Sequence, residues 1–317
     1  MFFLTIKLKE IVYSEDNIGN DIQVKISIAE KMLQFGCNIS NKKIRKFKKI
    51  VYQKNLPEEA ISLPINIWIV EKDPIFDDEG RASGKIYIIP QVGNKENYSI
   101  DVKVIGSGGD RGDHALFTFK FEIIADTATR YTANVWPNGW VYARFDYLPN
   151  PWPIPFQLEV ELTKITNGRE YFVVKEGRLE GKTGSVRLKS KAKSYLLRKG
   201  ERYKSAKLIY DRADNKLTIE GLGTYVVEMD SKNPIPLGTY DLELPYEPHP
   251  HGRRYMTYSK YAKTWFRIGH TGDRFLHTGR FSEGCITVKN HSQWTPIYNR
   301  LIRSRKDKKS VGILIVQ

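Results

Sequence analysis

The sequence predicts a mainly β chain: an N-terminal antiparallel β-sandwich, then a C-terminal β domain carrying one amphipathic helix. Three observations predict it. Short segments that alternate apolar with polar residues recur along most of the 317 residues. Clusters of Gly, Asn, Asp and Pro punctuate them at short intervals. Helical spacing is confined to residues 291–305, where Trp294, Ile297, Tyr298, Leu301 and Ile302 fall on one stripe.

Taken in order, residues 3–13 and 21–28 alternate as strands, and 63–70, 85–89, 99–105 and 115–124 continue the pattern. Residues 44–53 have an ambiguous period. Segments 131–136 and 140–147 flank Pro137-Asn138-Gly139, a hairpin signal because Asn-Gly accepts the positive φ of a tight turn. Many strands with few helical segments predict a sandwich over residues 1–148. Four prolines between Pro149 and Pro155 break the ladder and imply an extended linker. Residues 149–204 therefore read as a Pro-rich linker with connecting strands (157–163, 170–174), and 205–317 as the last domain. There, 207–210, 216–219, 223–229, 264–268, 275–277 and 310–317 read as strands, and 233–240 as a turn leading into one.

Composition bounds the functional classes. At 40% apolar and 12% aromatic residues the chain can bury real cores and is not a disordered polymer. No apolar run approaches the roughly 18–20 residues that span a bilayer, so no transmembrane segment is expected. The start alternates like a strand and lacks a secretory pattern, so synthesis in the cytoplasm without a signal peptide is expected. Cys37 and Cys285 lie too far apart in sequence to form a disulfide framework, and Cys37 reads as a buried small hydrophobe. The net charge of +15 favours polyanionic partners such as nucleic acid, anionic lipid or a wall polymer. Its two basic stretches, 42–49 and 182–207, read as solvated faces or as a docking surface for an acidic polymer. Neither carries a nucleic-acid-binding signature, so no nucleic-acid partner is expected.

One segment carries chemistry. Residues 267–288 place Cys285 after Ser282-Glu283-Gly284, with His277 eight positions upstream. A thiol near pKa ~8.5 needs an imidazole and a polarised backbone to attack at neutral pH. The eight-residue separation suits a hairpin that sets the two residues opposite each other. His270, in a second His-Thr-Gly triplet fifteen positions before the cysteine, is the rival base. His249 and His251, in Pro-His-Pro-His-Gly, read as surface loop residues rather than a metal pair. His291 reads as a helix-start residue and His114 as a loop or strand residue.

The Pro-x-Pro-x-Gly-x-Tyr turn at 234–240, the strand-borne histidine and Ser-x-Gly-Cys-Ile resemble the L,D-transpeptidase (YkuD-like) catalytic domain over about residues 205–317. The resemblance implies a cysteine that attacks peptidoglycan stem peptides and passes a thioacyl group to an amine or to water. Cys285 then matches the nucleophile and His277 the base. Gly284 and the amides around it match an oxyanion hole, Ser282 supports the turn, and His270 neighbours the site. The family turn is Ser/Thr-His-Gly-Cys, so Glu283 stands where a histidine is usual. The short His–Cys spacing is similar to divergent branches that include secreted antibacterial effectors. That implies action in the periplasm or at the cell wall after non-classical export, with a secretion-machine or immunity-protein partner. The alternative is a catalytically degenerate wall-binding or assembly protein.

The N-terminal sandwich carries acidic loops: Glu15, Asp16 and Asp21; Asp73, Asp77, Asp78 and Glu79; Asp110 and Asp113. Loop carboxylates gathered at one end of a sandwich suit Ca2+, as in a C2-type domain, although ordinary turn chemistry also places Asp in loops. No other cofactor is expected.

Overall fold

The computed structural model describes residues 1–73, 77–108, 111–135, 137–189 and 193–317. It is mainly β and divides into two compact units, Met1–Ala128 and Thr129–Gln317. The division falls twenty residues before the boundary expected at 148/149.

The first unit is one eight-stranded antiparallel sheet: β1 (Phe2–Glu15), β2 (Asp21–Ile28), β3 (Lys31–Asn38), β4 (Ile44–Leu56), β5 (Ile61–Glu71), β6 (Asp78–Ile88), β7 (Lys95–Ile105) and β8 (His114–Thr127), ordered β3-β2-β5-β6-β7-β8-β1-β4. β6 and β7 pair at only two positions, Glu79–Ile105 and Gly80–Val104. The sheet therefore parts there into two four-stranded halves. Phe35 on β3 meets Phe47 on β4 at 5.3 Å, so its two ends come together. Inward residues of both halves, among them Ile6, Val24, Ile67 and Phe119, build a single core. This is a β-sandwich: each strand turns one face inward because side chains alternate along it. The ambiguous stretch 44–53 is strand β4. Cys37, expected to be buried, is only half-buried on β3, where it packs against the edge of the core.

The second unit holds two larger sheets. The first contains β9 (Thr129–Thr132), β10 (Trp140–Phe145), β11 (Trp152–Pro155), β12 (Glu159–Thr166), β13 (Arg169–Val174), β14 (Thr183–Arg187) and β15 (Leu196–Leu197), ordered β11-β10-β14-β13-β12-β9-β15. Two sequence expectations fail here. The Asn138-Gly139 turn forms, with Gly139 at φ +82°, but it joins no hairpin. β9 pairs with β12 and β15, while β10 pairs with β11 and β14. The Pro-rich stretch is not a free linker either: Trp152–Pro155 is the edge strand β11, where a proline needs to supply no outward N–H. Trp152 Nε1 also donates to Tyr246 O at 3.3 Å, tying this stretch to the last sheet.

That last sheet contains β17 (Ala206–Asp211), β18 (Lys216–Ile219), β19 (Gly223–Glu228), β20 (Gly238–Glu243), β21 (Phe266–Arg267), β22 (Phe275–Thr278), β23 (Ile286–Val288) and β25 (Ser310–Val316), ordered β20-β25-β17-β18-β19-β23-β22-β21. A bridge between Leu242 and Ile268 joins the two end strands, so the sheet closes on itself. The short pair β16 (Tyr203–Lys204) and β24 (Ser304–Arg305) lies beside it. The single α-helix among the described residues, α1 (Trp294–Arg303), buries the stripe the sequence predicted. The two larger sheets are fastened by polar anchors. Buried Glu176 receives both Arg202 and Arg305, and Trp140 Nε1 donates to Thr264 Oγ1 at 3.1 Å.

Candidate active site

Cys285 and His277 come together by a route the sequence did not predict. β22 and β23 pair in parallel, not as a hairpin, with Leu276 opposite Ile286 and His277 opposite Thr287. Cys285 directly precedes β23, two residues before Thr287. With side chains alternating along a strand, Cys285 and His277 share one face. Adjacent parallel strands normally need a long crossover. These strands are only three and four residues long, so residues 279–285 suffice to return the chain.

Both side chains line a cleft of about 580 Å3, together with His249, His251, Trp265 and Arg267. His277 is 3% exposed. Its Nδ1 faces Thr278 O at 3.0 Å. A carbonyl only accepts, so Nδ1 carries the proton and Nε2 the lone pair. The Thr287 hydroxyl lies 3.3 Å from Nε2 and 3.2 Å from Phe281 O. Trp265 stacks on the His277 ring at 3.9 Å and on the His249 ring at 3.5 Å. Burial lowers both imidazoles to about 4; His251 adds to the effect at His249, while the Thr278 carbonyl opposes it at His277. Cys285 is 7% exposed, and burial pushes its thiol up. The Phe275 amide and the Arg274 charge act in the opposite direction. At neutral pH the resting pair is thiol and imidazole, not thiolate and imidazolium.

The turn before the cysteine is built from Ser282 and Gly284. The Ser282 hydroxyl donates to Cys285 O. Gly284 sits at φ +83°, and a Cβ there would stand 2.9 Å from Asn233 Nδ2. Only glycine allows that approach with that backbone. Glu283 lines the cleft. His270 is directed elsewhere: Nε2 faces Asp241 Oδ2 at 3.2 Å and Ser310 Oγ at 3.3 Å, in an ion network with Lys306. Buried Glu243 takes a bidentate bond from Arg178 at 2.7 and 2.9 Å and also holds Arg267 at 3.2 Å, which fixes one wall of the cleft.

Sequence reasoning missed four contributors. Thr287 gives only the signal of alternation in Cys-Ile-Thr-Val. Trp265 gives none, because its stack is long-range. His249 and His251 are not plain surface residues: both line the cleft, and His249 is half-buried. His291 opens the turn before α1 and meets Thr278 Oγ1 at 2.9 Å. His114 begins β8.

In the first unit, one acidic cluster forms at a loop end. Single carboxylate oxygens of Glu71, Asp73 and Asp78 lie within 4.8 Å of one another. Glu71 and Asp78 are 2% and 1% exposed, yet Glu71 Oε2 and Asp78 Oδ2 have no hydrogen-bond partner among the described residues. Gly19 leaves room against Glu71, since a Cβ there would fall 2.0 Å from Oε1. Burial, then the Asp73 charge, raises the Glu71 carboxyl. The other expected carboxylates are spent elsewhere. Asp77 pairs with Lys72, Glu79 accepts from Trp68 Nε1, and Asp16 accepts from the His114 amide. Asp113 is exposed, and Asp110 lies outside the described residues. Glu71 was missed because it ends an apolar strand.

Among the described residues no helix is long and apolar enough to cross a membrane. No protein-family model and no curated protein sequence matches the chain. Solved structures similar to part of it include a C2 domain of plant Extended Synaptotagmin 1, at 11% identity and TM-score 0.21, covering 39% of this chain and 94% of that one. Human GIVD cytosolic phospholipase A2 is similar at 10% identity and TM-score 0.26, over 58% of this chain and 29% of that one. TM-scores this low carry no argument about fold or activity.

Proposed function

We propose that the second unit is a cysteine-dependent acyl-transfer enzyme acting on peptidoglycan stem peptides, as an L,D-transpeptidase or L,D-carboxypeptidase at the cell wall. The observation that carries this reading is the tautomer of His277. With Nδ1–H held by Thr278 O, Nε2 carries the lone pair, 3.3 Å from the Thr287 hydroxyl, and His277 and Cys285 line one cleft. As Sγ attacks the substrate carbonyl, Nε2 takes the thiol proton and returns it to the leaving amine. The resulting thioester is released to water or to a second amine, whose proton passes to Nε2 in turn. The substrate class rests on the resemblance of Ser282–Ile286 and the 234–240 turn to the transpeptidase motifs. Mass analysis of peptidoglycan fragments incubated with wild-type and Cys285→Ala protein tests it. Stem products that depend on Cys285 are expected; equal products from both proteins would sink the mechanism.

The 7% exposure of Cys285 and its raised thiol pKa favour a second reading, a catalytically degenerate wall-binding protein. A peptide-mimetic carbapenem that acylates Cys285 at neutral pH excludes it.

For the first unit, the orphaned oxygens of Glu71 and Asp78 fit a hard cation, and three carboxylates suit Ca2+. Calorimetric titration should show one Ca2+ site that is lost in Asp78→Asn. Binding that survives both Glu71→Gln and Asp78→Asn would refute the assignment.

A further inference from the structure

The seven-stranded sheet of the second unit holds a separate cavity of about 340 Å3, sharing no lining residue with the Cys285 cleft. Arg144 on β10, Arg169 on β13 and Arg187 on β14 line it. Arg169 is directly opposite Arg187, and Arg144 is opposite Ser185, two residues from Arg187. Alternation puts all three guanidinium side chains on one face. Like charges facing each other across strands are destabilising. Among the described residues, no carboxylate pairs with any of the three.

Arg169 is held in place by Ser185, donating to Oγ through Nε at 3.2 Å and Nη2 at 2.9 Å, and to the Ser185 carbonyl at 2.9 Å. Burial, then the Arg144 charge, presses this guanidinium below its usual range. The remaining wall is apolar and aromatic, with Val135, Val141, Pro151, Tyr142 and Tyr195. This is a cluster of positive charge, anchored at Arg169, beside a surface that suits a ring.

We propose that this cavity binds a phosphomonoester carried on a small organic ring, such as a phosphorylated sugar. A phosphomonoester brings a charge of about −1.5 to −2 and three terminal oxygens, enough for the forks of Arg144 and Arg187 and for Nη1 of Arg169, whose other donors hold Ser185. A carboxylate offers two oxygens and one charge, which leaves the cluster under-neutralised. The apolar wall takes the ring, so a sugar phosphate gains over the free anion. The volume is that of a small-ligand site.

Isothermal titration calorimetry of the full chain with inorganic phosphate, glucose 6-phosphate, glucuronate and a single-stranded oligonucleotide tests the proposal. Glucose 6-phosphate should bind at least tenfold tighter than inorganic phosphate and tenfold tighter than glucuronate. Arg144→Glu and Arg187→Glu, both at exposed positions, should each weaken it tenfold or more without lowering the melting temperature, since each also removes a like-charge contact with Arg169. Lys207→Glu, on the other large sheet, should leave it unchanged. Four results would overturn the site: no binding of either phosphate at 10 mM, glucuronate binding as tightly as glucose 6-phosphate, Lys207→Glu weakening it equally, or the oligonucleotide outcompeting the sugar phosphate. Cys285→Ala should bind the sugar phosphate as the wild type does, so this result is independent of the catalytic reading.

Discussion

Acid should titrate His277 far below the usual range of histidine, and the fold should lose stability in doing so. The imidazole is 3% exposed and stacked on Trp265, and its pKa falls from the ordinary 6.5 to about 4. At about 1.4 kcal/mol for each tenfold change, that difference is a bias of roughly 3 kcal/mol toward neutral imidazole. Because the folded pKa lies below the unfolded one, the unfolded chain binds the extra proton between about pH 6.5 and 4. Stability from this group is therefore intact above 6.5 and drains away as pH falls, by roughly 3 kcal/mol in all. Carbon-bound Cε1–H resonances followed by NMR would give the midpoint directly. Denaturant melts of wild type and His277→Gln at pH 7, 5.5 and 4 would give the energy. The expected midpoint is near 4, with the variant losing roughly 3 kcal/mol less than wild type between pH 7 and 4. A His277 midpoint between 6 and 7, or parallel pH profiles for the two proteins, would refute the burial argument.

Three further outcomes follow from the same geometry. In a Cys37→Ser background, alkylation of Cys285 by iodoacetamide should climb only at alkaline pH, because burial raises the thiol; a rate plateau between pH 5 and 7 would instead reveal a resting ion pair. Gly284→Ala should lower stability by about 1–3 kcal/mol in thermal melts, since the new methyl meets Asn233 in a backbone at φ +83°. Glu176→Ala should cost about 3–5 kcal/mol in denaturant unfolding by stranding Arg305 and Arg202. Burial pushes the Glu176 carboxyl up, but the bonds and charges of Arg305 and Arg202 outweigh it and hold the carboxyl below its ordinary range. Its support is thus present above the unfolded pKa and lost as pH falls through the folded one, so the variant should have the flatter acid profile.

What the sequence made legible was local. The stripe from Trp294 to Ile302 announced α1 because helical spacing is read within one segment. The alternation of Ile22, Val24, Ile26 and Ile28 announced β2 in the same way. Partner choice was not legible. Asn138-Gly139 encodes a turn, but which strands flank it is decided by packing across the sheet, and β10 found β11 and β14 instead. β3 went unread although Leu33, Phe35 and Cys37 alternate with exposed Gln34, Gly36 and Asn38. In the candidate site, residue types pointed to Cys285 and His277, which do line one cleft, whereas the parallel register, the Trp265 stack and the partnering of His270 with Asp241 depend on contacts far apart in sequence.

On the proposed acyl-transfer reading, the parallel register gives the buried, neutral imidazole of His277 a partner in both of its protonation states. Setting Thr287 opposite His277 puts a hydroxyl between Nε2 and Phe281 O. With imidazole neutral, the hydroxyl proton is shared between Nε2 and the carbonyl. Once Nε2 has taken a proton it donates to Thr287 Oγ1, and the hydroxyl turns its own proton wholly to Phe281 O. Neither state leaves a buried donor stranded, which would cost about 1–3 kcal/mol. The imidazolium is still disfavoured by roughly 3 kcal/mol at rest, so the proposed reading favours proton transfer during sulfur attack over a preformed ion pair. In the observed arrangement the two neutral partners lie diagonally on one face of the β22–β23 pair.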